Sequence, residues 1–229
     1  ATRILLDRQQ AWQYFALAGL CAALGAANEL PALSLLAALG LVLLWEAPKP
    51  TLAAYAPAVL IVAAAFFATN WIAHHSLRPP YTHRSATNPD DNWYDYTYER
   101  GGTVHESYWR NRQGIDRGEP SSAVYAFHVL VGHHGIFSLT PVWLLSIAGT
   151  VLWLRRGGDP RLRGLALLVG AVTVVCVAFY LARPLEDRNY GGMSSGFRWV
   201  FWLAPLWLVM MLPAADAIST RPWLRRLGL

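Results

Sequence analysis

Apolar positions in this chain fall in blocks long enough to cross a bilayer, and polar residues collect in the stretches between them. Hydrocarbon about 30 Å thick requires roughly 20 apolar residues per helix, so block length is the primary signal. The blocks predict six membrane helices: Ala11 to Ala27, Pro31 to Trp45, Leu52 to Ala73, Phe137 to Leu154, Leu162 to Leu181 and Trp199 to Ala214. Asn28-Glu29-Leu30-Pro31 is too short a connection for anything but a helical hairpin. One long polar interval, about His74 to Ser121, separates the third and fourth blocks, and the amphipathic stretch Ser122 to Gly135 is expected at the interface. The expected fold is an all-α polytopic membrane protein with about six transmembrane helices and one large extracytoplasmic loop. Its parts are a three-helix N-terminal membrane segment (1–75), a polar and aromatic loop (76–121), and a three-helix C-terminal membrane segment with an interfacial approach (122–229).

Composition agrees with that class. Of 229 residues, 55% are hydrophobic and only 14% charged, with mean hydropathy +0.28; a soluble domain carries about 25% charged residues. The net charge is +5, and Lys49 is the only lysine. A basic balance can signal nucleic acid, but these arginines sit at helix ends, where membrane topology explains them, and no nucleic-acid partner is expected. The ends assigned to the cytoplasm carry ten basic residues, among them Arg155, Arg156, Arg161 and Arg163, against Asp7, Glu46, Asp159 and Asp216, a net of +6; the opposite side nets −1. Both termini are therefore expected in the cytoplasm and the large loop outside. Cys21 and Cys176 lie in apolar segments and read as small hydrophobes, with no disulfide and no metal assigned to them. The chain begins ATRILLDRQQAW, with no initiator methionine and no A-x-A-like cleavage site before a soluble domain, so a start within a longer product and a complete chain are both open readings.

The loop contains DDNWYDYTYERGG and HESYWRNRQGIDRGEP, too rich in aromatics for a flexible linker. An aromatic belt at the headgroups is the alternative reading of the individual rings, although it leaves the interleaved charges unexplained. Polar groups beside the spans are the natural functional candidates. Glu29 either dips into the membrane against an arginine or a ligand, or is a hydrated turn residue. His133 and His134 precede Gly135 at the start of the fourth helix; a metal there would need ligands such as His74, His75, His105 or His128, and the spacing matches no metal motif, so interfacial histidines are the competing reading. LEDRNYGGMSSGFRW, Leu185 to Trp199, is the most informative stretch. Its glycines and serines let backbone amides approach a ligand, and Arg198 begins a helix, where anions are favoured. Arg198, Arg188, Asn189, Tyr190, Gly191, Gly192, Ser194 and Ser195, with His133 and His134, are the candidate substrate-binding residues. The alternative is a glycine-rich turn with Arg198 reaching up to the headgroups.

Three pieces of the chain, in order, resemble the later membrane-embedded part of GT-C-type glycosyltransferases, the superfamily of protein mannosyltransferases and aminoarabinose transferases. They are ALAGLCAALGAANELPALSLLAAL, with a small-residue helix and acidic-Pro turn; GHHGIFSLTPVWLLSIAGTVLWLRR, with a glycine-led helix start, a Ser-x-x-Pro element and a basic stop; and NYGGMSSGFRWVFWLAPLWLVMMLP, with an aromatic-Gly-Gly turn and a Gly-x-Arg before the last helix. The resemblance covers about half of the chain. It implies a polyprenyl-phosphate sugar donor, transfer on the outer side, and an acidic catalytic residue in the first outer loop of a full-length enzyme. This chain has no acidic pair after its first helix. Asp90-Asp91 follows the third, so the resemblance transfers no catalytic role; Asp90, Asp91 and Glu29 remain catalytic candidates on chemistry alone.

Inverting transfer needs a carboxylate base near the acceptor hydroxyl and cations on the leaving phosphate. Asp90, Asp91, Asp95, Glu99 and Glu106 could supply the first, and Arg188, Arg198, Arg78 and Arg84 the second. No cofactor follows from this, and a divalent metal is the one addition the chemistry leaves room for. Expected partners are the lipid bilayer, a lipid-phosphate sugar donor and, on a second reading, a protein docked by an accessory subunit through its aromatic loop. A transporter has less behind it: there are no repeated halves and no charge sits firmly mid-span.

Overall fold

The computed structural model describes residues 1–85, 87–155, 159–192 and 196–220. It is mostly helical, and three helices are long and apolar enough to cross a membrane: Pro48–His74, Pro160–Leu181 and Arg198–Ser219. These point to a membrane protein, as do the large side chains their faces leave uncovered, including Leu60, Ile61, Val174, Val175, Leu208 and Leu212, each more than half exposed. Such a belt would be a liability in water and is what hydrocarbon accepts.

Helix α1 (Trp12–Asn28) ends where Glu29 turns extended, at φ −135°, and Pro31 restarts the chain as a short 3-10 turn leading into α2 (Leu33–Glu46). Proline suits that first helical position because its missing N–H has no partner there anyway. Helix α3 (Pro48–His74) begins the same way after Ala47 and carries a π-helical turn over Thr51–Tyr55. Side chains of this turn tie it to α2 and the link before it: the Thr51 hydroxyl donates to the carbonyls of Leu43 (2.9 Å) and Ala47 (2.7 Å), and Tyr55 donates to Leu36 (2.7 Å). α1 and α3 touch at Gly19, where a Cβ would stand 2.5 Å from the Tyr55 carbonyl oxygen.

Helix α4 (Ser122–Leu130) is capped by Ser121 and leads to a single helical turn, Ile136–Leu139, before α5 (Trp143–Leu154). The continuous helix expected from Phe137 is therefore split. Pro141 cannot donate a backbone bond and holds Thr140 out of the helical region, at φ −137°. Asp159 caps α6 (Pro160–Leu181), and α7 (Arg198–Ser219) starts as a 3-10 turn that becomes an α-helix at Ala204. α5 and α7 pack closely: a Cβ on Gly149 would fall 1.8 Å from the Met210 carbonyl oxygen, and Ser146 donates to the Trp207 carbonyl at 2.9 Å. The Trp207 indole donates to Thr173 of α6 at 3.0 Å, which fixes the third helix. The groups α1–α3 and α5–α7 meet through α2 and α6, where Ser34 and Cys176 lie 3.4 Å apart.

One expectation of an all-α chain is corrected inside the polar stretch. Strands β1 (Thr97–Arg100) and β2 (Thr103–Glu106) form an antiparallel hairpin about Gly101-Gly102, both at positive φ. Two glycines with that freedom make the tight turn whose twist matches the strands.

Candidate functional site

Pro184 ends the run of α6, and a 3-10 turn, Leu185–Asp187, carries the chain into Asn189-Tyr190-Gly191-Gly192. The Asn189 side-chain oxygen accepts from the Gly191 amide (3.0 Å) and from the Trp199 indole (3.3 Å), so one carboxamide ties the turn to the start of α7. Gly191 has φ 89°, and a Cβ on it would stand 2.9 Å from Cβ of Arg198. Glycine is required there twice, for the backbone and for the close passage of Arg198. The Arg198 amide closes the segment on the Tyr190 carbonyl at 3.4 Å.

The arginines expected to bind a ligand divide into two groups. Arg188 donates to three backbone carbonyls, those of Arg183 (3.0 Å), Glu119 (3.4 Å) and Pro120 (3.1 Å), so it braces the segment against the end of the polar stretch. Arg84 and Arg183 both pair with Asp187, whose side chain is 14% exposed. Arg198 is different. It is exposed, its guanidinium lies 5.2 Å from the Trp199 ring centre, and it has no ion pair or side-chain hydrogen bond among the described residues. Glu29 lies within its electrostatic reach: burial raises the Glu29 carboxyl above its ordinary pKa, and the Arg198 charge opposes that rise. The anion preference expected from a helix start at Arg198 is weakened, because that start is a 3-10 turn.

His133 and His134, expected at the start of the fourth helix, stand in a turn ahead of Ile136–Leu139. Their ring centres are 4.6 Å apart, His128 is 4.0 Å from His133, and His134 stacks on Tyr190 at 4.3 Å and 13°. Tyr190 is buried between this cluster and Tyr125, and burial raises its hydroxyl above the ordinary tyrosine pKa. Tyr125, fully buried, donates to the Asn189 carbonyl at 2.8 Å and so hangs the turn from α4. Among the described residues no group of three His, Cys, Asp or Glu is placed to hold a metal ion. Ser194 and Ser195 lie outside the described residues.

Asp90 and Asp91 are neighbours with separate surroundings. Asp91 accepts from the His83 ring at 2.5 Å and from Arg78 at 3.4 Å, and the His83 hydrogen bond is the main cause holding its carboxyl below the usual range. The Asp90 carboxylate has no hydrogen-bond partner among the described residues, and only its amide is engaged, by Asn88. Sequence reading passed over His83, the pairing of Arg84 and Arg183 on Asp187, and Tyr125. All of these depend on contacts between distant segments and leave no local signature, apart from the density of arginine and aspartate itself. No protein-family model, curated protein or solved structure matches the chain.

Proposed function

We propose that this chain is a membrane glycosyltransferase-like protein that holds a polyprenyl-phosphate-linked sugar at the outer membrane face. The observation that carries the reading is Arg198: an exposed guanidinium without an anionic contact partner among the described residues, seated between Gly191 and the Trp199 ring. A guanidinium fits phosphate bidentately, and a charged hydrogen bond to it contributes about 1.5–3 kcal/mol. Asn189, Tyr190, Gly191 and Gly192 form the floor of the same rim, and Trp199 and Tyr180, stacked at 5.8 Å, offer an aromatic flank for a lipid headgroup.

In this reading α1, α2, α3, α6 and α7 cross the bilayer, and α5 does so together with Ile136–Leu139. Both termini then lie in the cytoplasm and the segment between α3 and α4 lies outside, as the excess of arginine around Arg155 to Arg163 favours. Cysteine labelling from outside should reach positions 85–115 and spare the neighbourhood of Arg161; the reverse pattern sinks the topology and the site with it. Native mass spectrometry of the purified chain tests the ligand: polyprenyl-phosphate sugars should be retained over zwitterionic lipids.

A second reading rests on the hairpin. All eight residues of β1 and β2 are exposed, with Tyr96 and Tyr98 close by at 6.3 Å, so an accessory subunit could dock a partner protein there. Indifference to the lipid headgroup, with capture of a partner lost on changing Tyr98, would favour it.

A further inference from the structure

Beside the end of α3 a cleft of about 540 Å³ is lined by His74, His83, Asp90, Trp93 and Tyr96, among others. None of these residues belongs to the rim around Arg198, and the volume is in the range that small ligands occupy. The walls are tied together. The Trp93 amide donates to the His83 carbonyl at 2.8 Å, and the His74 ring meets the indole edge-on at 5.0 Å and 81°. The backbone bond fixes the position of Trp93 and His74 flanks its indole, while the residue remains 52% exposed.

The polar side of the cleft is equally built. Asp91 binds the Nδ1 of His83, and Arg78 braces the carboxylate while donating to the Thr82 carbonyl at 2.7 Å. A carboxylate only accepts, so the Nδ1 side of the ring carries a hydrogen toward Asp91, and Nε2 is the ring nitrogen left to meet a ligand. The Asp90 carboxylate adds further acceptor sites without a protein donor among the described residues. A ligand that fits must bring hydroxyl donors and an apolar face. An anion would meet the Asp90 carboxylate, and a hydrocarbon would strand the polar groups.

We propose that this cleft binds a neutral, hydroxyl-bearing ligand of the saccharide class, with Trp93 as the platform for a sugar face and His83, oriented by Asp91, accepting a ligand hydroxyl. The site shares no residue with the lipid-phosphate site and stands whether or not that reading holds.

Tryptophan fluorescence and saturation-transfer NMR on the full chain in nanodiscs, titrated with mannotriose, maltotriose and cellotriose, test it. At least one trisaccharide should bind saturably. Trp93→Ala should weaken that binding about tenfold while Trp93→Phe retains most of it. His83→Ala should weaken it about fivefold, with partial recovery in His83→Gln, whose carbonyl still accepts. Far-UV circular dichroism should be unchanged in each variant. The proposal falls if none of the three sugars binds saturably, if Trp93→Ala binds as well as the parent, or if choline binds more tightly than the sugars, which would make the cleft a cation box.

Discussion

Arg84 and Asp187 stand 103 positions apart in the chain and form an ion pair, and the same carboxylate also receives Arg183. Arg112 reaches the Glu186 carbonyl and Arg188 reaches those of Glu119 and Pro120, so the long polar stretch is fastened to the turn after α6 by several charged hydrogen bonds. Hydrogen bonds of this kind are stronger than neutral ones and directional, which lets a stretch without a sizeable core of its own keep a fixed position over the helices. Asp187→Ala should leave two arginines facing each other and cost about 2 kcal/mol of loop docking. Limited proteolysis between 85 and 115 should accelerate, with the unfolding of the helical part little changed.

The contact between α5 and α7 depends on the absence of a side chain at Gly149. A methyl group there would collide with the Met210 backbone, which cannot move aside as a flexible side chain would. Gly149→Val should therefore destabilise the chain by at least about 2 kcal/mol, measured as thermal unfolding in detergent. Gly164 of α6 is the control, because a Cβ on it meets nothing within 4 Å. Gly164→Ala should be neutral or stabilising by about 0.5–1 kcal/mol through the loss of glycine's backbone freedom.

Asp91 gives the loop an acid limit. Its folded-state pKa lies below the ordinary carboxylate value, first because His83 donates to it and then through Arg78. The stabilisation is present above the unfolded pKa of about 3.9 and is lost as pH falls through the lower folded value. The Trp93 fluorescence should therefore change between about pH 4 and the acid end of the titration. Asp91→Asn should abolish that transition.

Glu29 behaves in the opposite sense. Burial raises its folded-state pKa, so its contribution to stability is fully present below the unfolded value and is lost as pH rises through the folded one. Arg198 opposes the shift, and Arg198→Ala should move the Glu29 titration further up. Isotope-edited infrared spectroscopy of the carboxyl band reads this directly; an unmoved Glu29 would show that the two groups do not sense each other.

Much of the helical plan is written in local sequence. The apolar blocks after Ala11, Pro31, Leu52 and Leu162 all became helices, because length and hydropathy are properties of one segment at a time. The split at Pro141 was legible in principle, since proline acts on its own neighbourhood, but the surrounding apolar run masked it. The Gly101-Gly102 hairpin carried its turn signal openly, between the alternating Thr-Tyr-Glu-Arg and Thr-Val-His-Glu. The site was legible only in part. The turn from Asn189 to Gly192 was recognisable by its glycines, whereas the division of roles between Arg188, spent on carbonyls, and Arg198, exposed, depends on which distant backbone each one meets. The His83–Asp91 pair spans eight positions, and no periodicity announces it.

The central claim is that Arg198 holds a lipid-linked phosphate, and one comparison tests it most directly: the affinity of parent and Arg198→Ala chains for a polyprenyl-phosphate sugar, measured by native mass spectrometry at matched protein and lipid concentrations. The account predicts a loss of about 1.5–3 kcal/mol in the variant, with little change for zwitterionic lipids. Equal affinity in the two chains would contradict it and leave Arg198 as an interfacial anchor.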